Sequence, residues 1–578
     1  MAKAAVMQAN HPRRAMLGVF ASALLLSAGF IPELYGVTIW FALVPALVAA
    51  RRLTLKRLFW LSWMAGYLHC VLVYYWVMIV TVPGGLLLPV YLGIYWPLFF
   101  LAVEVLARKF AVPRLVSSVA LWPALEWVRG TALTGLPWFY LGHSLYRWPR
   151  LIQSADLGGV LLLSAIVIGV NALLASAVDT AANRPKRAWL AACAVALFAA
   201  NLAYGAWRLE TVSLLPGPTV ACVQPNVPQS IKIAQSAADS ATIFQRLRRY
   251  TLDDRVRSAD VIFWPETMMP GLIGVKDFRV SNGMDVSQML DELELQGVLP
   301  PPKREAAIRL AQEGEDLFDA LQTVCGTDVS PNLETYSLLA ATARIAGKPL
   351  VAGAILTAVN GDDEIDYNRV CQFAPDGREV SHYDKVHLVP FGEFIPFRES
   401  FPPAGRLLAR LMPVQPSVYP GPAFEVLKVG GYNYGPAICF EDTFSYIGRR
   451  YRRLGADILV NVTNDGWFGG SFELEAHLAS AVLRAVETRM AVVRAANTGI
   501  SAVVSPAGVV TARLADSAGR DREIEGLLVA PVAVSRQRTI YTAVGDMWLI
   551  VPFALIPVSR FVRRRRAACK KRSFLSLT

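Results

Sequence analysis

Seven apolar stretches occupy the first 210 residues, at approximately 16–31, 35–50, 58–82, 86–107, 114–134, 157–179 and 188–206. An eighth covers about 541–559. Roughly 20 consecutive apolar residues cross a bilayer as a helix, so the pattern predicts a helical polytopic membrane domain of about 8 spans. The first two stretches are the shortest and read as a tight hairpin. Residues 216–535 have another texture. Short apolar runs such as Pro218–Val223, Asp260–Trp264, Pro349–Ala352, Asp457–Asn461 and Ala491–Arg494 alternate with polar turns. Runs of that length bounded by turn residues predict buried strands. Helix candidates lie between them at 331–346 and 472–490, and Ile500–Val510 reads as an antiparallel hairpin. Alternating strands and helices predict an α/β fold for this region.

The expected organisation is therefore a seven-helix membrane domain over 1–210, a catalytic α/β domain over 216–535, a C-terminal transmembrane helix over 541–559 and a basic tail over 560–578. The stretch 275–330 carries acidic clusters and Pro300, Pro301 and Pro302, and reads as a surface insertion.

Composition agrees with a membrane protein. The chain is 54% hydrophobic and only 18% charged, whereas soluble domains average about 25% charged residues. The net charge of +12 does not point to nucleic acid, because the basic residues gather in short loops and the tail. With the N-terminus inside, Arg13 and Arg14, then Arg51, Arg52, Lys56 and Arg57, then Arg108, Lys109 and Arg114, then Arg184, Lys186 and Arg187 all fall on one side. The positive-inside rule assigns that side, and both termini, to the cytoplasm. Residues 210–535 then lie outside it. The seven cysteines are dispersed, without paired metal-ligand spacing, and predict neither a disulfide framework nor a metal site. No cofactor is expected.

Three short runs carry candidate chemistry. Cys439 ends the apolar run Tyr434–Ile438 and is followed by Phe440, Glu441 and Asp442. Glu266 ends Phe263-Trp-Pro-Glu, and Lys385 precedes Glu393 in the run His382–Glu393. A thiol becomes a nucleophile only as its thiolate. Glu266, desolvated after Trp264 and Pro265, is suited to take that proton. Lys385 suits the charge of the thiolate and then of an oxyanion. Glu393 is placed to orient Lys385, and Glu441 to line the same pocket. Taken singly, each has a plainer reading: Cys439 as a packed core residue, Glu266 and Lys385 as surface charges, Glu441 as a helix N-terminal acid, Asn464-Asp-Gly as a turn, and His387 as a structural histidine.

Together these runs resemble the Glu, Lys and Cys signatures of the nitrilase superfamily. Val223-Gln-Pro-Asn-Val-Pro-Gln229, His387-Leu-Val-Pro-Phe-Gly-Glu393 and Asn461-Val-Thr-Asn-Asp-Gly-Trp-Phe468 resemble, more narrowly, the apolipoprotein N-acyltransferases. The resemblance implies a nitrilase-like αββα sandwich facing the periplasm and anchored in the bacterial inner membrane. It implies Glu266 as general base, Lys385 as thiolate and oxyanion partner, and Cys439 as nucleophile, with Glu393 and Glu441 in support. It also implies acyl transfer from a phospholipid, with phosphatidylethanolamine the expected donor, through a Cys thioester to the N-terminal amine of a diacylglyceryl apolipoprotein. A monomer is expected. The alternative is a membrane-tethered amidase acting on a small soluble substrate. Phe440 stands where many members of the family have Tyr. Phe440 and an apolar arm containing Leu407, Leu408 and Leu411 are the candidate substrate contacts.

Overall fold

The structure is a computed structural model. It describes all residues except 1, 35, 179–182, 230–236, most of 269–332, 361–362, 397–417, 552 and 554–578. The arm with Leu407, Leu408 and Leu411, most of the 275–330 insertion and the basic tail lie outside the described residues. The chain divides into two units. One holds 1–213, 471–489 and 537–578; the other holds 214–470 and 490–536.

The first unit is helical. Helices or helical turns lie over all seven apolar stretches before residue 210, the longest being Ala2–Ala28, Ala155–Ala177 and Arg184–Thr211. Among the described residues, three helices are long and apolar enough to cross a membrane: Val82–Phe110, Ala155–Ala177 and Arg184–Thr211. The physical reason that others fall short is visible in them. Arg114–Thr131 contains Pro123, Glu126 and Arg129, and Leu55–Val73 contains Lys56, Arg57 and His69. The eighth stretch begins with the turns Ile540–Val544 and Gly545–Leu549, and most of it lies outside the described residues. Close backbone contact binds the bundle where small residues permit it. A Cβ on Gly66 would sit 2.7 Å from the Gly93 carbonyl oxygen, so only glycine allows that crossing.

The helix Glu473–Thr488, which linear order places inside the 216–535 region, packs in this unit against Ala155–Ala177. Every one of its residues is buried, including Glu473, Glu475, His477, Arg484 and Glu487. Buried charges need partners, and these have them. Glu487 accepts from Arg484 at 2.9 Å and from the Val160 N–H at 2.8 Å. Glu475 accepts from the Tyr146 hydroxyl and pairs with Arg147 at 3.3 Å. Just beyond the helix, Arg489 donates to Asp156 at 2.7 Å and to Gln153 at 2.9 Å. Arg208 and Tyr204 each donate to the same Asp156, both at 2.7 Å.

Among the described residues the second unit holds twelve strands: β1 (Leu215–Gln224), β2 (Val261–Phe263), β3 (Leu350–Asn360), β4 (Asp363–Phe373), β5 (Glu379–Asp384), β6 (Leu427–Val429), β7 (Tyr432–Ile438), β8 (Ile458–Thr463), β9 (Ala491–Ala496), β10 (Ala502–Val504), β11 (Val510–Arg513) and β12 (Gly526–Val534). They form two six-stranded sheets, ordered β12-β1-β2-β3-β4-β5 and β11-β10-β9-β8-β7-β6. In each, the middle three strands are parallel (β1-β2-β3 and β7-β8-β9) and the flanking pairings are antiparallel. The sheets meet through β1 and β9, β10 and β12, and β4 and β7. Helices Ala237–Thr251 and Leu333–Ala346 cover the first sheet, and Ser445–Arg453 lies against β7 of the second. The order of layers is that of an αββα sandwich. Under the first pair of helices, Phe244, Leu247, Trp264, Leu338 and Leu339 form a fully buried core. Parallel strands covered on both faces read as continuous apolar runs, which is why the sequence revealed them.

Replacing Asp156 with Asn leaves the fully buried Arg489 without its counter-charge. A loss of about 3–5 kcal/mol is expected, read as a lowered Tm of the detergent-solubilised protein. The Asp156→Leu/Arg489→Leu double variant should be more stable than Asp156→Asn.

Candidate active site

Parallel strands release their functional residues at their C-terminal ends, where the chain turns away from the sheet. Glu266 follows β2, Cys439 follows β7, Asn464 follows β8 and Asn497 follows β9. Lys385 follows β5. Gly353 on β3 lets the turn after β2 come close: a Cβ there would stand 2.5 Å from the Pro265 carbonyl oxygen and 2.8 Å from the Glu266 Cα.

Lys385 is the centre of the cluster. Its side chain is 1% exposed, and its Nζ lies 2.9 Å from Glu393 Oε2 and 3.6 Å from Glu266 Oε1. Burial alone would lower its pKa, but Glu393 and Glu266 overcome that and hold it raised, so the ammonium stays charged. Both carboxylates are pinned. Asn368 Nδ2, on β4, donates to Glu266 Oε1 at 2.8 Å and to Glu393 Oε1 at 2.9 Å. The Asn464 N–H donates to Glu266 Oε2 at 2.9 Å, and the Val389 N–H to Glu393 Oε2 at 2.7 Å.

Cys439 is half-buried and stands at φ 51°. A non-glycine residue in the left-handed region is strained and marks a turn that its surroundings must hold. Those surroundings are named. Asn461 Nδ2 donates to the Cys439 carbonyl at 2.9 Å. Arg494, fully buried on β9, donates to Asn461 Oδ1 and Asp442 Oδ2, both at 2.9 Å. Burial and the Glu266 charge push the thiol well above its ordinary pKa; Lys385 and a hydrogen bond with Thr463 pull the other way. The resting thiol is thus neutral at pH 7, with the Glu266 carboxylate and the Lys385 ammonium acting on it in opposite directions.

Glu441 ties the turn at Cys439 to the loop carrying Lys385. It accepts from the N–H groups of Ile438, Val386 and His387 at 2.8, 3.0 and 2.9 Å, and from the Tyr383 hydroxyl at 2.7 Å. Burial pushes its carboxyl up to about 7 against the pull of those backbone donors. Phe440 is buried and packs edge-on against Phe444 at 4.9 Å. His387 lies 3.9 Å from the Phe444 ring centroid and shares a 2.9 Å hydrogen bond with Tyr446. Among the described residues no His, Cys, Asp or Glu group is arranged to hold a metal ion.

A profile of the Carbon-nitrogen hydrolase family matches residues 219–541, and one of the Apolipoprotein N-acyltransferase N-terminal domain matches 22–173. A relative named Apolipoprotein N-acyltransferase in Geobacter metallireducens is 29% identical over 96% of each chain. One of the same name in Bradyrhizobium diazoefficiens is 31% identical over 83% of this chain and 79% of its own. The chain belongs to the apolipoprotein N-acyltransferase family. Its second unit is accordingly a nitrilase-like α/β domain. A solved structure, Saccharomyces cerevisiae Nit3 of the nitrilase superfamily, aligns with 58% of this chain and 96% of its own at 18% identity, with a TM-score of 0.32.

In this family member the three acids, the lysine and the thiol singled out from sequence lie in one cluster: Glu266, Lys385, Glu393, Cys439 and Glu441. Sequence reasoning missed Asn368, Asn461 and Arg494, and it left Asn464 as a turn. The Asn461–Phe468 motif carried the only signal for two of them. Asn368 and Arg494 sit mid-strand and had none.

Cysteine alkylation tests the electrostatics. Glu266→Gln removes a charge that raises the thiol pKa, so the pH profile of iodoacetamide labelling at Cys439 moves to lower pH. Lys385→Met removes the charge that lowers it, so the profile moves to higher pH. Shifts of the same sign would contradict this arrangement.

Proposed function

We propose that this protein transfers an acyl chain from a phospholipid, through a thioester on Cys439, to the N-terminal amine of a diacylglyceryl-cysteine apolipoprotein. The observation that carries this reading is the buried Lys385 held between Glu266 and Glu393 beside a strained, half-buried cysteine. In the first step Glu266 takes the proton from Cys439 Sγ as the sulfur attacks the acyl ester carbonyl. Lys385 stabilises the oxyanion. The intermediate collapses, the ester C–O bond breaks, and Glu266 returns the proton to the leaving glycerol oxygen. A lysophospholipid departs. In the second step the apolipoprotein amine attacks the thioester and gives a proton to Glu266. The C–S bond breaks, and the proton returns to the thiolate. Phosphatidylethanolamine is the proposed donor, and the enzyme acts as a monomer. Glu393 and Glu441 position Lys385 and the nucleophile turn.

The proposed setting is the bacterial inner membrane, crossed about eight times, with residues 216–535 periplasmic and both termini cytoplasmic. The packing of the first unit supports that topology. Arg108 donates to the Ala50 carbonyl, Arg51 to Ser176 and Arg187 to the Ala177 carbonyl. Basic residues from three loops are thereby gathered at one end of the bundle, as positive-inside requires. A lipid donor and a lipid-modified acceptor both give the spans a purpose that a small soluble amide would not.

Intact-protein mass spectrometry after incubation with phospholipid tests the chemistry. Wild type should gain one acyl chain, released by neutral hydroxylamine, and Cys439→Ala should gain none. Hydrolysis of small amides with no adduct would turn the assignment to a tethered amidase.

A further inference from the structure

We infer that the outer face of the helix Ser445–Arg453 is the subsite for the phosphodiester headgroup of the acyl donor; this rests on the proposed phospholipid donor. The helix has two faces. Ile447, Gly448 and Tyr451 are buried. Tyr446, Arg450 and Arg453 are exposed and Arg449 half-buried. Positions 446, 449, 450 and 453 follow the i, i+3, i+4, i+7 spacing of one helical stripe. The stripe is a tyrosine followed by three arginines.

Its tyrosine end leads back to the nucleophile. Tyr446 shares a hydrogen bond with His387, whose ring lies 6.0 Å from that of Phe440, the residue after Cys439. Phe444 packs against all three rings, at 4.9 Å from Phe440, 3.9 Å from His387 and 5.8 Å from Tyr446. An aromatic wall thus runs from the nucleophile turn to the first turn of a basic helix. A glycerophospholipid has the same order of chemistry: an acyl ester, a short glycerol bridge, then a phosphate anion. Aromatic side chains suit the interfacial ester region, and arginine forks match phosphate oxygens.

The plainer reading is that arginines late in a helix merely complement its dipole. Arg452 does face the carbonyls, donating to Ala456 at 2.9 Å and Ser535 at 2.8 Å. Arg450 and Arg453 are exposed, whereas Arg452 is half-buried against those carbonyls.

The test uses full-length enzyme in mixed micelles and the double variant Arg450→Gln/Arg453→Gln. Both arginines lie outside the catalytic cluster. With a phosphatidylethanolamine donor the variant should show KM raised roughly tenfold and kcat little changed. With diacylglycerol, which has the same acyl esters and no phosphate, variant and wild type should match. Added salt should narrow the gap on phospholipid. Equal KM on phospholipid, or an equal loss on both donors, would overturn the subsite. Inorganic phosphate should inhibit wild type competitively against phospholipid and the variant less; equal inhibition of both would count against the stripe as the anion site. A wild type that forms no thioester from either donor would sink the parent reading rather than this subsite alone.

Discussion

A buried ammonium needs negative charge close by, and the second unit is arranged around that need. Lys385 has almost no contact with solvent. Desolvation would discharge it were Glu393 and Glu266 not both in reach. Two carboxylates facing one cation would in turn repel each other. The Asn368 amide, donating to both, and one backbone N–H on each relieve that repulsion. A proton acceptor, a fixed cation and a neutral thiol can then share one small volume. This is electrostatic preorganisation: the dipoles are set before substrate arrives and need not reorganise during reaction.

Cys439 obeys a second constraint. Cys439 adopts a left-handed backbone conformation, whose cost persists only where neighbours over-determine the turn. Glu441 supplies part of that by gathering the N–H groups of Ile438, Val386 and His387 and the Tyr383 hydroxyl. Arg494 supplies it from below through Asn461 and Asp442. The same hydrogen bonds that fix the cysteine also fix the loop carrying Lys385, so thiol and ammonium are held in one geometry.

Much of this was legible in the sequence, for definite reasons. Runs such as Asp457–Asn461 and Ala491–Arg494 are apolar on both faces, and become the central strands β8 and β9. Glu266, Lys385 and Cys439 stand at strand ends inside long specific motifs. Asn368 was not legible, because its role depends on the register of β4 with β5 and on which carboxylates fold beside it. Arg494 looked like a polar interruption of a strand and proved a buried anchor. The helix Glu473–Thr488 was misleading in another way. Its acids suggest a solvated face, yet Arg484, Arg147, Tyr146 and the Val160 N–H satisfy them in a buried setting. Of these partners, Tyr146, Arg147 and Val160 lie more than 300 positions away, which no local pattern records. The span count shows the same limit from the other side: Glu126 and Arg129 lower the apolarity of a helix whose length suits a bilayer.

The central claim is that Lys385 acts as one electrostatic unit with Glu393 and Glu266. Single-turnover rates of thioester formation in Lys385→Met, Glu393→Gln and the double variant test it most directly. If Glu393 works through Lys385, the double variant should be no slower than Lys385→Met alone, because the second change removes a partner already lost. Losses that simply multiply would mean that the two residues act independently, and would contradict the account.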